Sequence, residues 1–154
     1  MNSLKRILLV DDSVRDTEMA LDALEQYHLA NDVIALRDGE EALDYLYRRG
    51  QFSSRANDEP AVIVLDLKMP KVDGMEVLRQ IKSDPKLKGI PVVVMTSSRE
   101  EQDLIKSYQL GTNAYVVKPV NFLEFVEAMK QLGVFWAVLN EPPPESLHRP
   151  TGGP

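Results

Sequence analysis

The sequence predicts an α/β fold, a (βα)5 doubly wound sheet of five parallel strands. Short apolar runs recur five times along the 154 residues, and apolar residues at helical spacing fill the segments between them. Runs without polar interruptions are typical of strands buried on both faces, and strands that alternate with helices require right-handed crossovers. Together these observations predict a parallel sheet covered by helices on both faces.

The predicted elements follow one another from the N-terminus. The strands are expected at residues 7–10, 31–36, 61–65, 92–95 and 115–117, with a long polar loop at residues 48–60. Ser13 is a candidate N-cap for the first helix, the second covers residues 38–47, Asp73 and Gly74 open the third, and Gly111 ends the fourth at residues 99–109. The apolar residues expected to mark the inner faces of the first two helices are Met19, Leu21, Leu24 and Tyr27, then Ala42, Leu43, Leu46 and Tyr47.

The last helix is predicted to be long. Asn121 and Glu124 resemble a capping box at its start. Four apolar residues near its end add more apolar surface than one amphipathic face needs, namely Phe135, Trp136, Val138 and Leu139. The prolines that follow stop the helix, so we expect one domain over residues 1–140 and a Pro-rich, disordered tail over residues 141–154. The predicted inner stripe of this helix is Phe122, Phe125, Val126, Met129 and Leu132.

Composition excludes several classes of function. The formal net charge is −6, which argues against a nucleic-acid surface or a polybasic membrane patch. The chain has no cysteine, so disulfide and thiolate chemistry are excluded. No apolar stretch has the length of a signal peptide or a membrane span, and a cytoplasmic location is therefore expected.

Polar residues suited to phosphoryl chemistry follow four of the predicted strands. These are Asp11 and Asp12 after the first strand, Asp66 after the third, Thr96 after the fourth and Lys118 after the fifth. The carboxyl ends of parallel strands share one edge, so we expect these side chains to converge in one crevice. The sequence thus predicts one functional site there.

Each of these residue types fits a role in phosphoryl transfer. Asp66 can act as a carboxylate nucleophile. Asp11, Asp12 and Asp66 would form a cluster of like charges that implies a cation, and hard oxygen ligands suit Mg²⁺. Lys118 and Thr96 can bind phosphoryl oxygens. Taken singly, each Asp also fits a helix cap, Thr96 a strand end and Lys118 a solvated charge, so the prediction depends on the whole set.

The motifs at these positions match a known family. Val10-Asp11-Asp12-Ser13, Leu65-Asp66-Leu67-Lys68-Met69-Pro70, Met95-Thr96-Ser97-Ser98 and Val117-Lys118-Pro119 resemble, in order and spacing, the receiver domains of two-component response regulators. The resemblance implies a flavodoxin-like or CheY-like fold and a phosphoacceptor protein that promotes only its own phosphorylation and dephosphorylation. It also implies that Asp66 accepts the phosphoryl group and that Thr96 and Lys118 contact it.

The resemblance further implies a metal site and a switch. Asp12, Asp66 and the backbone carbonyl of Lys68 would bind Mg²⁺ directly, with Asp11 acting through the hydration shell of the ion. On phosphorylation Thr96 would move towards the phosphoryl group and Tyr115 would turn inwards, which would remodel the surface of the fourth helix, fifth strand and fifth helix. The Lys118–Pro119 peptide resembles the cis peptide of the family. Tyr115 also has a simpler interpretation, as a half-buried strand aromatic.

Softer motifs resemble a narrower group. The chain also resembles the stand-alone regulators of bacterial and cyanobacterial phytochrome histidine kinases. The segments that resemble them are residues 107–115, the Phe135-Trp136 pair and the long loop before the third strand. This implies a red-light-sensing sensor histidine kinase as the phosphodonor, with an unknown downstream protein target. Phe135, Trp136 and Leu139 are candidates for a homodimer interface, although these side chains could instead fold back onto their own domain.

Two other functions are open to a chain with these residues. A haloacid-dehalogenase-like phosphohydrolase also uses a strand-end Asp, a Thr or Ser, a Lys and Mg²⁺. That family, however, has a second Asp two residues after the nucleophile, where this chain has Lys68. The other alternative is a receiver-like binding scaffold that is not phosphorylated.

Overall fold

The sheet is the one predicted from the apolar runs. The computed structural model describes residues 6–26, 33–55, 59–67, 69, 72–96, 114–118 and 121–133. The described strands are β1 (Ile7–Val10), β2 (Val33–Leu36), β3 (Val62–Asp66), β4 (Val92–Thr96) and β5 (Ala114–Val117). They form one five-stranded sheet in the order β2-β1-β3-β4-β5, and every neighbouring pair is parallel. The predicted α/β doubly wound fold is confirmed.

Four α-helices lie among the described residues. They are α1 (Val14–Gln26), α2 (Gly39–Tyr47), α3 (Gly74–Ser83) and a C-terminal helix (Phe122–Gln131), and a short 3-10 helix (Gly50–Phe52) lies in the predicted long loop. None of these helices is long and apolar enough to cross a membrane. The predicted fourth helix at residues 99–109, the dimer candidates Phe135, Trp136 and Leu139, and the tail at residues 141–154 lie outside the described residues.

Each of these four described α-helices begins at a side-chain cap. Ser13, Asp38, Asp73 and Asn121 each accept a hydrogen bond from the backbone N–H three residues later, at 2.8 to 3.1 Å. Such caps satisfy N–H groups that have no partner within the helix. The helix starts predicted at Ser13, Asp73 and Asn121 are confirmed, and each helix is therefore anchored next to the carboxyl end of a strand.

The core consists of two layers, one on each face of the sheet. On one face α2 and α3 pack on alternate residues of the strands, among them Leu8, Ile63 and Val94. On the other face α1 and the C-terminal helix pack on the intervening residues, such as Leu9 and Val93. Alternating side chains point to opposite faces of a strand, which is why the strand sequences are apolar throughout.

Two predicted inner residues lie on the surface instead. Tyr47 is 36% exposed while Tyr45 is 3% exposed. The prediction for Tyr47 was wrong because α2 ends there: Arg48 takes a positive φ of 54°, and the Tyr47 ring is left beneath the Arg49 guanidinium, 5.2 Å away. Met19 is 43% exposed, because the inner face of α1 follows Ala20 and Leu24, which are four residues apart.

Candidate functional site

The predicted convergence at the carboxyl edge of the sheet is present. Asp11 directly follows β1, Asp66 and Thr96 are the last residues of β3 and β4, and Lys118 directly follows β5. Backbone hydrogen bonds continue the ladder past the strand ends: Lys118 N–H donates to the Thr96 carbonyl at 2.8 Å, and Asp11 N–H donates to the Leu36 carbonyl at 3.1 Å. The edge is therefore fixed by the same pairing that holds the sheet together.

Three carboxylates form a compact acidic cluster there. Asp11, Asp12 and Asp66 each place an oxygen within 4.8 Å of the other two. Asp11 and Asp66 are buried, whereas Asp12 is exposed. The Oδ1 atom of Asp11 accepts a hydrogen bond from the Ser13 N–H at 2.9 Å. Because buried like charges repel strongly, this arrangement requires positive charge nearby.

Lys118 supplies positive charge to the cluster. Its Nζ lies 3.1 Å from Asp11 Oδ2, 3.2 Å from Asp66 Oδ2 and 3.0 Å from Asp16 Oδ2. Partial burial acts to lower the pKa of Lys118, but the carboxylates of Asp16, Asp66 and Asp11 outweigh it and the pKa is raised above the ordinary 10.5. The side chain is therefore an ammonium ion throughout the physiological pH range.

Asp16 is the site residue that sequence analysis missed. It lies in the first turn of α1, and its carboxylate accepts a hydrogen bond from Lys118 across 102 positions of the sequence. The sequence feature that could have indicated the position of Asp16 was the Ser13 cap. A cap at Ser13 puts Asp16 in the first helical turn, next to the strand end that carries Asp11 and Asp12.

Thr96 ends β4 with a side chain that has an unusual environment. Its hydroxyl is fully buried and, within the described residues, has no hydrogen-bond partner. A buried hydroxyl without a partner costs free energy, and such groups are typical of functional sites. Tyr115, the predicted switch aromatic, is half-buried on β5 and packs against the core layer that holds α2 and α3.

The residues present fit a hard divalent cation. Carboxylate oxygens are the ligands that Mg²⁺ prefers, and Asp11, Asp12 and Asp66 each contribute one such oxygen to the cluster. The chain just after Asp66 is held tightly, because Gly74 N–H donates to the Leu67 carbonyl at 2.8 Å. Lys68, whose carbonyl is a predicted ligand, and Pro119 of the predicted cis peptide lie outside the described residues.

Comparison with known proteins shows the family of this chain. The profile of the response regulator receiver domain matches residues 7–130. Response regulator Rcp1 of Synechocystis sp. is 40% identical over 135 residues, which cover 88% of this chain and 90% of Rcp1. The Mn²⁺-bound form of Rcp1 has a TM-score of 0.69 at 40% identity and covers 86% of this chain and 94% of that one.

Two further solved structures extend the comparison. The bacteriophytochrome response regulator RtBRR has a TM-score of 0.84 at 61% identity, over 94% of this chain and 87% of that one. The phosphorylated cyanobacterial phytochrome response regulator RcpA has a TM-score of 0.71 at 40% identity, over 87% and 94%. The resemblance to phytochrome response regulators, first noted in the motifs, is confirmed. With its acidic cluster, its lysine and its parallel sheet, the chain belongs to the response regulator receiver domain family.

Proposed function

We propose that this protein is a single-domain response regulator that accepts a phosphoryl group on Asp66 from the phosphohistidine of a sensor histidine kinase. One observation carries the proposal. Asp66 lies at the end of β3, buried beside Asp11, within 4.8 Å of the exposed Asp12 and 3.2 Å from the Lys118 ammonium. The arrangement combines a carboxylate nucleophile, a cation site open on one side and a fixed positive charge.

The proposed reaction is a displacement at phosphorus. An Asp66 carboxylate oxygen attacks, an O–P bond forms, and the P–N bond to the histidine breaks as its electron pair returns to the imidazole nitrogen. We assign Mg²⁺ to Asp12, Asp66 and the Lys68 carbonyl, with Asp11 acting through metal-bound water. When bound, the ion supplies positive charge that offsets the phosphoryl oxygens. Lys118 then neutralises a further oxygen.

Thr96 and Tyr115 are the proposed switch. The unpartnered Thr96 hydroxyl can gain a hydrogen bond to the phosphoryl group, which would repay the cost of its burial. Tyr115 would then turn inwards and change the surface formed by residues 99–109, β5 and the C-terminal helix. A new charge that biases two pre-existing states is a common switching mechanism.

The partners are part of the same proposal. Similarity to bacteriophytochrome and cyanobacterial phytochrome regulators supports a phytochrome-type kinase as the phosphodonor. The similarity to response regulator Rcp1 extends over 90% of the length of that protein. We also propose a homodimer whose interface includes Phe135, Trp136 and Leu139, and a cis peptide bond between Lys118 and Pro119. The proposal further includes a domain at residues 1–140 followed by a tail, and a cytoplasmic location.

Intact mass after incubation with acetyl phosphate tests the proposal. We expect one added phosphoryl group in the wild type, only when Mg²⁺ is present, and none in Asp66→Asn. Asp22→Asn is the matched control, because Asp22 is an exposed carboxylate on α1 and should leave the adduct unchanged. An adduct that persists in Asp66→Asn would refute the assignment of the phosphoacceptor.

The alternatives predict different outcomes in the same experiment. A binding scaffold would show no adduct at any time after mixing, including times too short for hydrolysis. A phosphohydrolase would release inorganic phosphate from many equivalents of an organic phosphate ester other than an acyl phosphate. The lysine at position 68 argues against the phosphohydrolase, because no carboxylate follows Asp66 at the required spacing.

A further inference from the structure

The Lys118 ammonium lies close to three carboxylates. It donates a hydrogen bond to Asp16 Oδ2 at 3.0 Å. Asp11 Oδ2 and Asp66 Oδ2 lie at ion-pair distance, 3.1 and 3.2 Å from the same nitrogen. Of these three carboxylates, Asp16 is the one that does not belong to the acidic cluster of Asp11, Asp12 and Asp66.

The other two carboxylates belong to the acidic cluster. Asp11 uses Oδ1 to accept the Ser13 N–H, so Oδ2 is the oxygen left for a cation, and Lys118 contacts that oxygen. A divalent cation in the cluster would compete with the ammonium for Asp11 and Asp66, and the two positive charges would repel each other. Lys118 therefore needs a partner outside the cluster when the metal binds.

Asp16 meets the requirements for that partner. It is not one of the three clustered residues, and its side chain is 35% exposed, so keeping an ammonium there costs less desolvation than at Asp11, which is 1% exposed. Its backbone N–H is held by the Ser13 hydroxyl at 3.1 Å, so α1 fixes its position. The Asp16 carboxylate is thus held on α1 beside the site, where it can pair with the Lys118 ammonium.

We propose that Asp16 is a positioning residue that retains the Lys118 ammonium when a divalent cation takes over Asp11 and Asp66. It contacts no reacting atom and acts only through Lys118. The inference rests on the proposed metal site of Asp11, Asp12 and Asp66. Without Asp16, the ammonium keeps competing for the cluster, and metal binding is weaker.

Calorimetric titration of the full chain with Mg²⁺ alone tests the proposal without any phosphorylation. We expect Asp16→Asn to weaken Mg²⁺ binding about fivefold, the factor that corresponds to a partly exposed ion pair, and Asp16→Glu to restore most of it. Asp22→Asn, which removes an exposed charge from the same helix, should have little effect. Circular dichroism confirms that each variant is folded.

A double-mutant cycle shows whether Asp16 acts through Lys118. In a Lys118→Met background the ammonium is gone, and adding Asp16→Asn should change Mg²⁺ affinity by less than about twofold, as expected for a screened charge. An equal loss in both backgrounds would mean that Asp16 contributes only its charge, and the proposal would be wrong. It would also be wrong if Asp16→Asn bound Mg²⁺ as tightly as the wild type.

These outcomes separate the inference from the proposed function. If the wild type binds no Mg²⁺, the proposed metal site fails and the role of Asp16 fails with it. If Mg²⁺ binds and Asp66 is phosphorylated while the cycle shows no coupling, only the role of Asp16 is overturned.

Discussion

Gly74→Ala should damage the site through its backbone. Gly74 is the first residue of α3, and its N–H holds the Leu67 carbonyl. A Cβ at position 74 would collide with the carbonyl oxygen of Asp66 and lie 2.9 Å from its carbonyl carbon. No side-chain rotation can relieve contacts with backbone atoms, so the segment that carries Asp66 must move.

The expected cost follows from two opposing effects. Overpacking costs about 1 to 3 kcal/mol, and rigid backbone neighbours place this case near the upper end. Replacing glycine with alanine returns roughly 0.4 to 1 kcal/mol by restricting the unfolded chain. We expect a net decrease of about 2 kcal/mol in the free energy of unfolding, a large fraction of the stability of a typical domain.

Urea unfolding followed by circular dichroism measures this change. Gly89→Ala is the matched control: a Cβ there would meet no atom within 4 Å, and its φ is not in the left-handed range, so we expect equal or slightly higher stability. Gly74→Ala should also accept phosphoryl groups more slowly from acetyl phosphate under conditions in which it is fully folded. Equal stability and equal rates for the two variants would refute the reasoning.

Two further predictions concern polar groups at the site. Thr96→Val removes a buried hydroxyl without a described partner and keeps the side-chain shape, so the free energy of unfolding should stay equal or rise by about 1 kcal/mol in urea titrations. The pKa of Lys118 is raised on folding, so its contribution to stability is complete below the ordinary pKa of 10.5 and is lost as the pH rises through the higher folded value. With a chelator present, the stability difference between wild type and Lys118→Met should be constant from neutral pH to about 10 and shrink above it.

The positions of strands and caps could be predicted because they depend on local sequence. An unbroken apolar run predicts a strand buried on both faces, and a Ser, Asp or Asn before an amphipathic segment predicts a helix start. With strand ends located, parallel topology alone brings Asp66, Thr96 and Lys118 to one edge. This part of the site needs no knowledge of side-chain packing.

Asp16 and Tyr47 could not be placed in the same way. Whether Asp16 reaches Lys118 depends on the rotation of α1 about its axis and on its distance from β5, which are set by packing of the whole layer. Tyr47 was misplaced because apolar spacing in α2 is compatible with either Tyr45 or Tyr47 on the inner face. The position at which the helix ends decides which of the two tyrosines is buried. That position depends on the positive φ of Arg48.

The charges of the site suggest why metal and phosphoryl group belong together. Among the residues that the structure describes, four carboxylates lie at the site with the Lys118 ammonium, so the site without a metal has an excess of negative charge. They are Asp11, Asp12, Asp16 and Asp66. A phosphoryl donor brings more negative charge and is repelled, and salt screens this poorly because Asp11 and Asp66 are buried. A divalent cation offsets most of this excess, provided that Lys118 keeps its own charge nearby. Asp16 contacts the lysine but lies outside the cluster. It therefore allows both the divalent cation and the Lys118 ammonium to remain where the phosphoryl oxygens would arrive.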